Sequence, residues 1–146
     1  MNTYTAFLHI HSAVRWIALA LAIFVTVKSL MGLGGKSAFG KTDNIFAASF
    51  VGTMHLQLLL GLVLYFFLSP ITESALSNFG GAMKNAELRF WAVEHASMMV
   101  LAVVVAQIGR SKSKKATDAA KKFKLQAIFF GAALLLMLGG IPWNRF

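Results

Sequence analysis

The stretch LHIHSAVRWIALALAIFVTV, residues 8–27, decides the fold of this chain. A helix needs about 20 consecutive, mostly apolar residues to cross a lipid bilayer, and this stretch has that length. Its first half carries His9, His11 and Arg15, polar side chains of a kind that is costly inside a membrane. The stretch therefore predicts a transmembrane helix and makes the role of these side chains the main functional question.

The composition of the whole chain agrees with a membrane location. Of its 146 residues, 58% are hydrophobic and only 13% are charged, and the mean hydropathy is +0.68. A soluble domain has about 45–50% apolar and about 25% charged residues. So few charges would not keep the surface of a soluble four-helix bundle in water, and the sequence predicts an integral membrane protein.

Four segments have the length and hydropathy of a span. They are residues 7–31, 44–68, 88–108 and 124–141, and together they form one membrane domain over residues 1–146. Their short connections predict antiparallel neighbours, so the expected fold class is all-α, an up-and-down transmembrane four-helix bundle. The N-terminus lacks the features of a cleaved signal peptide. The chain has no cysteine, which excludes thiolate metal sites and iron–sulfur clusters held by this chain.

The distribution of charge predicts the orientation. One side of the predicted membrane holds ten basic residues against two acids, whereas the other side holds four basic residues against three acids. The ten are Lys28, Lys36, Lys41, Arg110, Lys112, Lys114, Lys115, Lys121, Lys122 and Lys124. The positive-inside rule places these basic loops in the cytoplasm and both termini outside, where Trp16, Trp91 and Trp143 form an interfacial aromatic belt. Topology and anionic membrane lipid then explain the net charge of +9, and no nucleic-acid partner is expected.

All four histidines lie in or at the edge of the predicted spans. His11 and His95 lie at similar depths in spans one and three, which are diagonal in a simple bundle, so their rings are expected to face each other. His55 lies at least a turn deeper in span two, and a pair with His95 remains an alternative. His9 is about 200° around the helix from His11, which makes it an interfacial residue.

Two charged residues accompany these histidines. Arg15 follows His11 by four residues and shares its helix face, and Glu94 directly precedes His95. One interpretation is an ion pair between Arg15 and Glu94 that joins two helices. The other is that Arg15 binds an anionic group of a cofactor, such as a haem propionate, through its planar guanidinium.

Bis-histidine ligation of one haem b is the leading functional hypothesis, with His11, His95 and His55 as axial candidates and Arg15 as a further cofactor-binding residue. Six-coordinate iron would serve electron transfer or a redox anchor rather than oxygen binding. A quinone is a further candidate ligand, since His and Arg near an interface can hydrogen-bond to its carbonyl oxygens. A non-haem metal-handling protein would instead use His55, His95, Glu94 and Met98.

A role without a cofactor is the main alternative. The chain would then be a small subunit or an assembly factor of a membrane complex such as a respiratory complex. Its histidines would form interhelical hydrogen bonds, and its basic loop would be the docking surface. An independent enzyme is not expected. Gly35–Thr42 matches a phosphate-binding loop in its letters, but no strand precedes it.

Five stretches together resemble a family of small four-span, cytochrome b-like membrane proteins of Bacteroidetes. They are LHIHSAVRW, MHLQLLLGLVLYF, RFWAVEHASMM, IGRSKSKKA and IPW, and the resemblance covers nearly the whole length. It implies a haem-b protein of the bacterial inner membrane that works with larger redox complexes. The motif histidines are His11, His55 and His95, with Arg15 and Glu94 beside them. Covalent haem attachment is excluded because the chain has no C-x-x-C-H motif.

Overall fold

The computed structural model describes residues 1–145, without the side chain of residue 145, and its architecture is all-α with 88% helix. In chain order, the α-helices are α1 (Thr3–Met31), α2 (Lys41–Val63), α3 (Pro70–Ser77), α4 (Phe79–Ala82), α5 (Ala86–Arg89), α6 (His95–Lys115) and α7 (Ala119–Gly140). A π-helical turn, Leu64–Leu68, extends α2, and another, Phe90–Glu94, joins α5 to α6. No strand occurs among these residues, which confirms the all-α part of the predicted fold class.

Four continuous helices are long and apolar enough to cross a membrane, by length and composition. They are Thr3–Gly34, Lys41–Leu68, Ala86–Lys115 and Ala119–Gly140. Each contains most of one predicted span, but all four begin before the predicted position. The third also ends seven residues later than predicted, because the polar residues 109–115 continue the helix. Hydropathy detects the apolar part of a helix and not its full length.

Local capping explains where the helices begin. The side chain of Asn2 accepts a hydrogen bond from the backbone N–H of Thr5 at the start of α1. Asp43 accepts from the N–H of Gly40 at the start of α2, and Asp118 accepts from the N–H of Lys121 at the start of α7. Short polar side chains of this kind satisfy backbone N–H groups that have no partner within the helix.

The four long helices pack in chain order around a common core. Helix α1 packs against α2 and α7, and α6 packs against the same two helices, so α1 and α6 are diagonal. Phe50 and Phe130 pack ring to ring at the centre, 5.0 Å apart and fully buried. Alanines with almost no exposed surface, Ala22, Ala102, Ala106 and Ala133, let the helices approach closely around them.

The segment between α2 and α5 folds over one end of the bundle. It contains the short helices α3 and α4, whose Ala75 and Ala82 are buried against Ala92. Leu76 and Phe79, in the same two helices, are exposed. The oxygen of the Thr72 hydroxyl lies 2.7 Å from the carbonyl oxygen of Tyr65, to which it donates. This bond fixes α3 to the end of the Lys41–Leu68 helix.

Candidate functional site

Two histidines from diagonal helices meet in the interior. The ring centroids of His11, on α1, and His95, at the start of α6, are 6.5 Å apart, and the ring planes are 82° from parallel. Both side chains are partly buried. Among the three histidines predicted as axial ligands, these are the two that the fold brings together, at the matching height expected from their positions along the helices.

A large cavity surrounds the two rings. Its volume is about 980 Å³, and helices α1, α2, α6 and α7 all contribute to its walls. Ligand pockets of proteins have volumes of about 300–1,000 Å³. The polar side chains in the walls are Tyr4, His11, Ser12, Arg15, Gln57, Tyr65, Ser69, Thr72, Trp91, His95 and Ser97. The rest of the lining is apolar, so the cavity suits a large apolar ligand with a few polar groups.

The last turn of α7 orients the His95 ring. Nδ1 of His95 is 2.7 Å from the carbonyl oxygen of Gly140, and because a carbonyl only accepts, Nδ1 carries the proton and donates it. The lone pair of the neutral ring is then on Nε2. Histidines that bind metals characteristically donate their other ring N–H to a carbonyl or carboxylate in this way.

Close packing of α6 on α7 makes that contact possible. A Cβ atom on Gly140 would lie 2.7 Å from Cε of Met99, and one on Gly139 would lie 2.7 Å from Cε of Met98. Glycine at these two positions lets the end of α7 approach the helix that carries His95. Met98 therefore packs against the glycines, and it is not among the residues that line the cavity.

The π-helical turn Phe90–Glu94 sets the direction of His95. A π turn contains one residue more than an α turn, which rotates every later side chain by about 100° relative to an unbroken α-helix. The hydroxyl of Tyr65, in the other π turn, donates a 2.8 Å hydrogen bond to the carbonyl oxygen of Ala92. The two π turns are thus linked immediately before His95. Single π turns of this kind are frequent at functional sites.

His11 is held from the opposite side by α2. The side-chain amide of Gln57 donates a 2.8 Å hydrogen bond to the backbone carbonyl of His11, which fixes α1 against α2 at this level. A Cβ atom on Gly61 would lie 3.3 Å from Cε1 of His11, so the ring rests directly on the backbone of α2. Nδ1 of His11 is buried and has no hydrogen-bond partner among residues 1–145. A buried polar atom of this kind needs a partner, and a bound ligand is one that would supply it.

Arg15 lines the same cavity, one helical turn from His11. Its guanidinium carbon lies 4.8 Å from the ring centroid of Trp16, a cation–π contact. The ring of Trp16 is in turn 6.3 Å from that of Trp143. A positive charge therefore stands at one wall of a mostly apolar cavity, where an anionic group of a ligand would be stabilised.

The remaining candidates lie elsewhere. His55 is exposed on the outer face of α2, where Nε2 is 2.8 Å from Oε1 of Gln107. Glu94 pairs with Arg89 at 3.0 Å instead of with Arg15, and both carboxylate and guanidinium are half-exposed. His9 is exposed and does not line the cavity. The structure therefore does not bring His55 or Glu94 into the cavity beside His95.

A non-haem metal site gains no support from this arrangement. Within the part of the chain that the structure describes, no group of three or more His, Asp or Glu side chains is placed to hold a metal ion. Four ligands complete the usual structural zinc site, and three the usual catalytic one. The set of His55, His95, Glu94 and Met98 is not assembled.

Four residues of the site did not emerge from sequence reasoning: Gln57, Gly61, Tyr65 and Gly140. Gln57 and Tyr65 are polar groups inside an apolar span, and that signal was available beside His55. The two glycines act through close backbone approach, which a single sequence does not indicate when glycines are common in the spans. The π turns have no compositional signal.

Comparisons of the chain with family models, with curated proteins and with solved structures each find no match.

Proposed function

We propose that this chain is a membrane electron-transfer or redox-anchor protein that binds one haem b between His11 and His95. The observation that carries the proposal is the pair of imidazole rings, 6.5 Å apart on diagonal helices, inside a cavity of about 980 Å³. The likeness of five stretches to small cytochrome b-like proteins points in the same direction. No cysteine is needed for a non-covalently bound haem.

The residues fit such a group in both distance and chemistry. If the ligating nitrogens of two imidazole rings opposed each other across one metal, bonds of about 2.0–2.1 Å, the length known for zinc, would leave the ring centroids roughly 6 Å apart. The observed separation of 6.5 Å is close to this value. His95 already donates its Nδ1 proton to Gly140, which leaves Nε2 as the donor atom for a metal. His11 contributes a ring whose buried Nδ1 has no partner among the described residues.

Each neighbouring group has a definite task in this proposal. Gly140 and the π turn Phe90–Glu94 orient His95, and Gln57 holds the backbone of His11. Arg15 would bind an anionic edge of the ligand. The apolar part of the walls would pack against the faces of a flat, apolar ligand. The haem itself would supply a site that accepts and releases one electron.

The absorption spectrum of the purified protein tests this function. We expect a Soret band as purified, or on addition of haem to the apoprotein, with a stoichiometry of one haem per chain. Reduction with dithionite should sharpen the α and β bands, as in a six-coordinate haem with two histidine ligands. A protein that is folded by circular dichroism and gives no Soret shift with excess haem would contradict the proposal.

We further propose that the four long helices span the bacterial inner membrane with both termini outside. Support comes from their length and apolar character and from the position of the basic residues. Apart from Lys84, the lysines lie in the last turn of α1, in the α1–α2 connection, at the start of α2 and in the ends of α6 and α7 that flank their connection, so they gather at one end of the bundle. The tryptophans Trp16, Trp91 and Trp143 lie toward the other end, as the positive-inside rule and an aromatic belt require.

Cysteine accessibility tests this topology, because the natural chain offers no competing thiol. A membrane-impermeant maleimide added to intact spheroplasts should label Asn78→Cys, in the connection between α3 and α4. The same reagent should label Lys36→Cys and Lys114→Cys only after the membrane is disrupted. Labelling of Lys114→Cys in intact spheroplasts would reverse the proposed orientation.

A further inference from the structure

The α2–α6 contact changes along its length. Near the basic end, the guanidinium of Arg110 donates to Oδ1 of Asn44 at 2.7 Å, and further along, His55 and Gln107 bond at 2.8 Å. The next hydrogen bond between these two continuous helices is the one from Tyr65 to Ala92. The bond from His55 to Gln107 and the bond from Tyr65 to Ala92 are ten positions apart on one helix and fifteen on the other, or about 15 and 22 Å at 1.5 Å per residue.

The cavity reaches the outer surface of the bundle in this interval. Within it, Leu62 on one side and Val100 and Leu101 on the other line the cavity and are also exposed, and the same is true of Phe66, directly after Tyr65 at the end of the interval. Phe66 is 63% exposed and Leu101 is 52% exposed, so these side chains form a rim and not a sealed wall. We call the opening between them the side window.

We propose that the side window admits the ligand of the His11–His95 cavity directly from the membrane. This inference rests on the proposed haem function, but it concerns the route by which a flat, apolar ligand reaches the site. The rim is apolar except for the hydroxyl of Ser97, which also lines the cavity and is exposed, and the interval lies within helices long enough to span a bilayer. A molecule dissolved among lipid chains would pass the rim without exchanging its apolar surroundings for water.

The hydrogen bond between His55 and Gln107 marks the edge of the side window that is nearer the basic end of the bundle. It explains why a histidine and a glutamine lie on an exposed face of apolar helices, where each alone would be costly. Together they fix the separation of α2 and α6 at the point where the cavity ends. The bond from Tyr65 to Ala92 marks the other edge. One hydrogen bond between the two helices therefore lies at each end of the side window.

Tryptophan substitutions at the rim test the route through the rate of loading. In apoprotein reconstituted into nanodiscs, Leu62→Trp with Leu101→Trp should slow haem uptake from liposomes at least tenfold, with each uptake curve normalised to the final Soret absorbance of the same variant. The matched control is Leu59→Trp with Val104→Trp, because both positions are exposed on the same two helices and neither lines the cavity. Equal uptake rates in the two double variants would overturn the side window.

A second measurement needs no haem, so it separates failure of the window from failure of the proposed function. Leu58 lines the cavity behind the rim. In Leu58→Cys, a membrane-soluble pyrene maleimide should react at least tenfold faster than a charged, water-soluble methanethiosulfonate, each relative to its rate with an exposed Asn78→Cys control. The rim tryptophans should slow the first reaction. Preferred labelling by the charged reagent would mean that the cavity opens to water instead, whatever ligand it binds.

Discussion

Replacing either His11 or His95 with alanine is expected to lower the affinity for haem at least about a hundredfold and to abolish the six-coordinate spectrum. Loss of an outer-shell partner of a metal ligand typically costs 10–100-fold in metal affinity, and loss of the ligand itself should cost no less. The measurement is a haem titration of each apoprotein followed at the Soret band, together with the reduced spectrum.

Two other histidines of the chain provide matched controls. His9→Ala removes an exposed ring two residues from His11, and His55→Ala removes an exposed ring outside the cavity. Both variants should bind haem with the natural affinity and spectrum. If His55→Ala lost haem as completely as His95→Ala, the ligand pair proposed here would be wrong.

A rescue experiment separates ligation from a structural role. His95→Gly leaves a gap beside the cavity that free imidazole can enter, and added imidazole should restore the Soret band of this variant. Restoration would not follow if the ring served only to hold α7 through its bond to Gly140, because a free imidazole is not tied to α6. The same experiment applies to His11→Gly.

Helix geometry alone was enough to predict that His11 and His95 lie close together. The predicted spans and the rise of 1.5 Å per residue were sufficient to place His11 and His95 at one height on diagonal helices. The all-α fold class could also be predicted, since 58% of all residues are hydrophobic and four long apolar runs leave few alternatives. Both results depend on distances along helices, which a sequence states directly.

The sequence did not predict in which direction each side chain points around its helix axis. Helix α2 is apolar on most of its faces, so its pattern does not show that His55 points outward while Gln57 points to α1. The π turn before His95 rotates the side chains of α6 by about 100° around the helix axis, and no residue type predicts such a turn. The partner of Glu94 was missed for a related reason, since Arg89 reaches it across that same turn.

Filling the space over the His11 ring is expected to be as informative as removing the ring. Gly61→Leu should weaken haem binding at least tenfold, or about 1.4 kcal/mol, with His11 and His95 both still present. A Cβ atom at this position already lies 3.3 Å from Cε1 of His11, so the larger side chain must displace the ring or occupy the cavity beside it. Haem titration gives the affinity, and thermal unfolding of the apoprotein reports any general damage.

Gly52→Leu is the control for this substitution. Gly52 lies on the same helix, and a Cβ atom there has nothing within 4 Å among the described residues, so the added side chain points into open space. Both substitutions remove the same conformational freedom of glycine from α2 and should stabilise the helix equally by that route. A difference in haem affinity between them therefore reports the contact with His11. Equal affinities in the two variants would show that a ligand does not need the space between Gly61 and the His11 ring, and would place the binding site away from this ring.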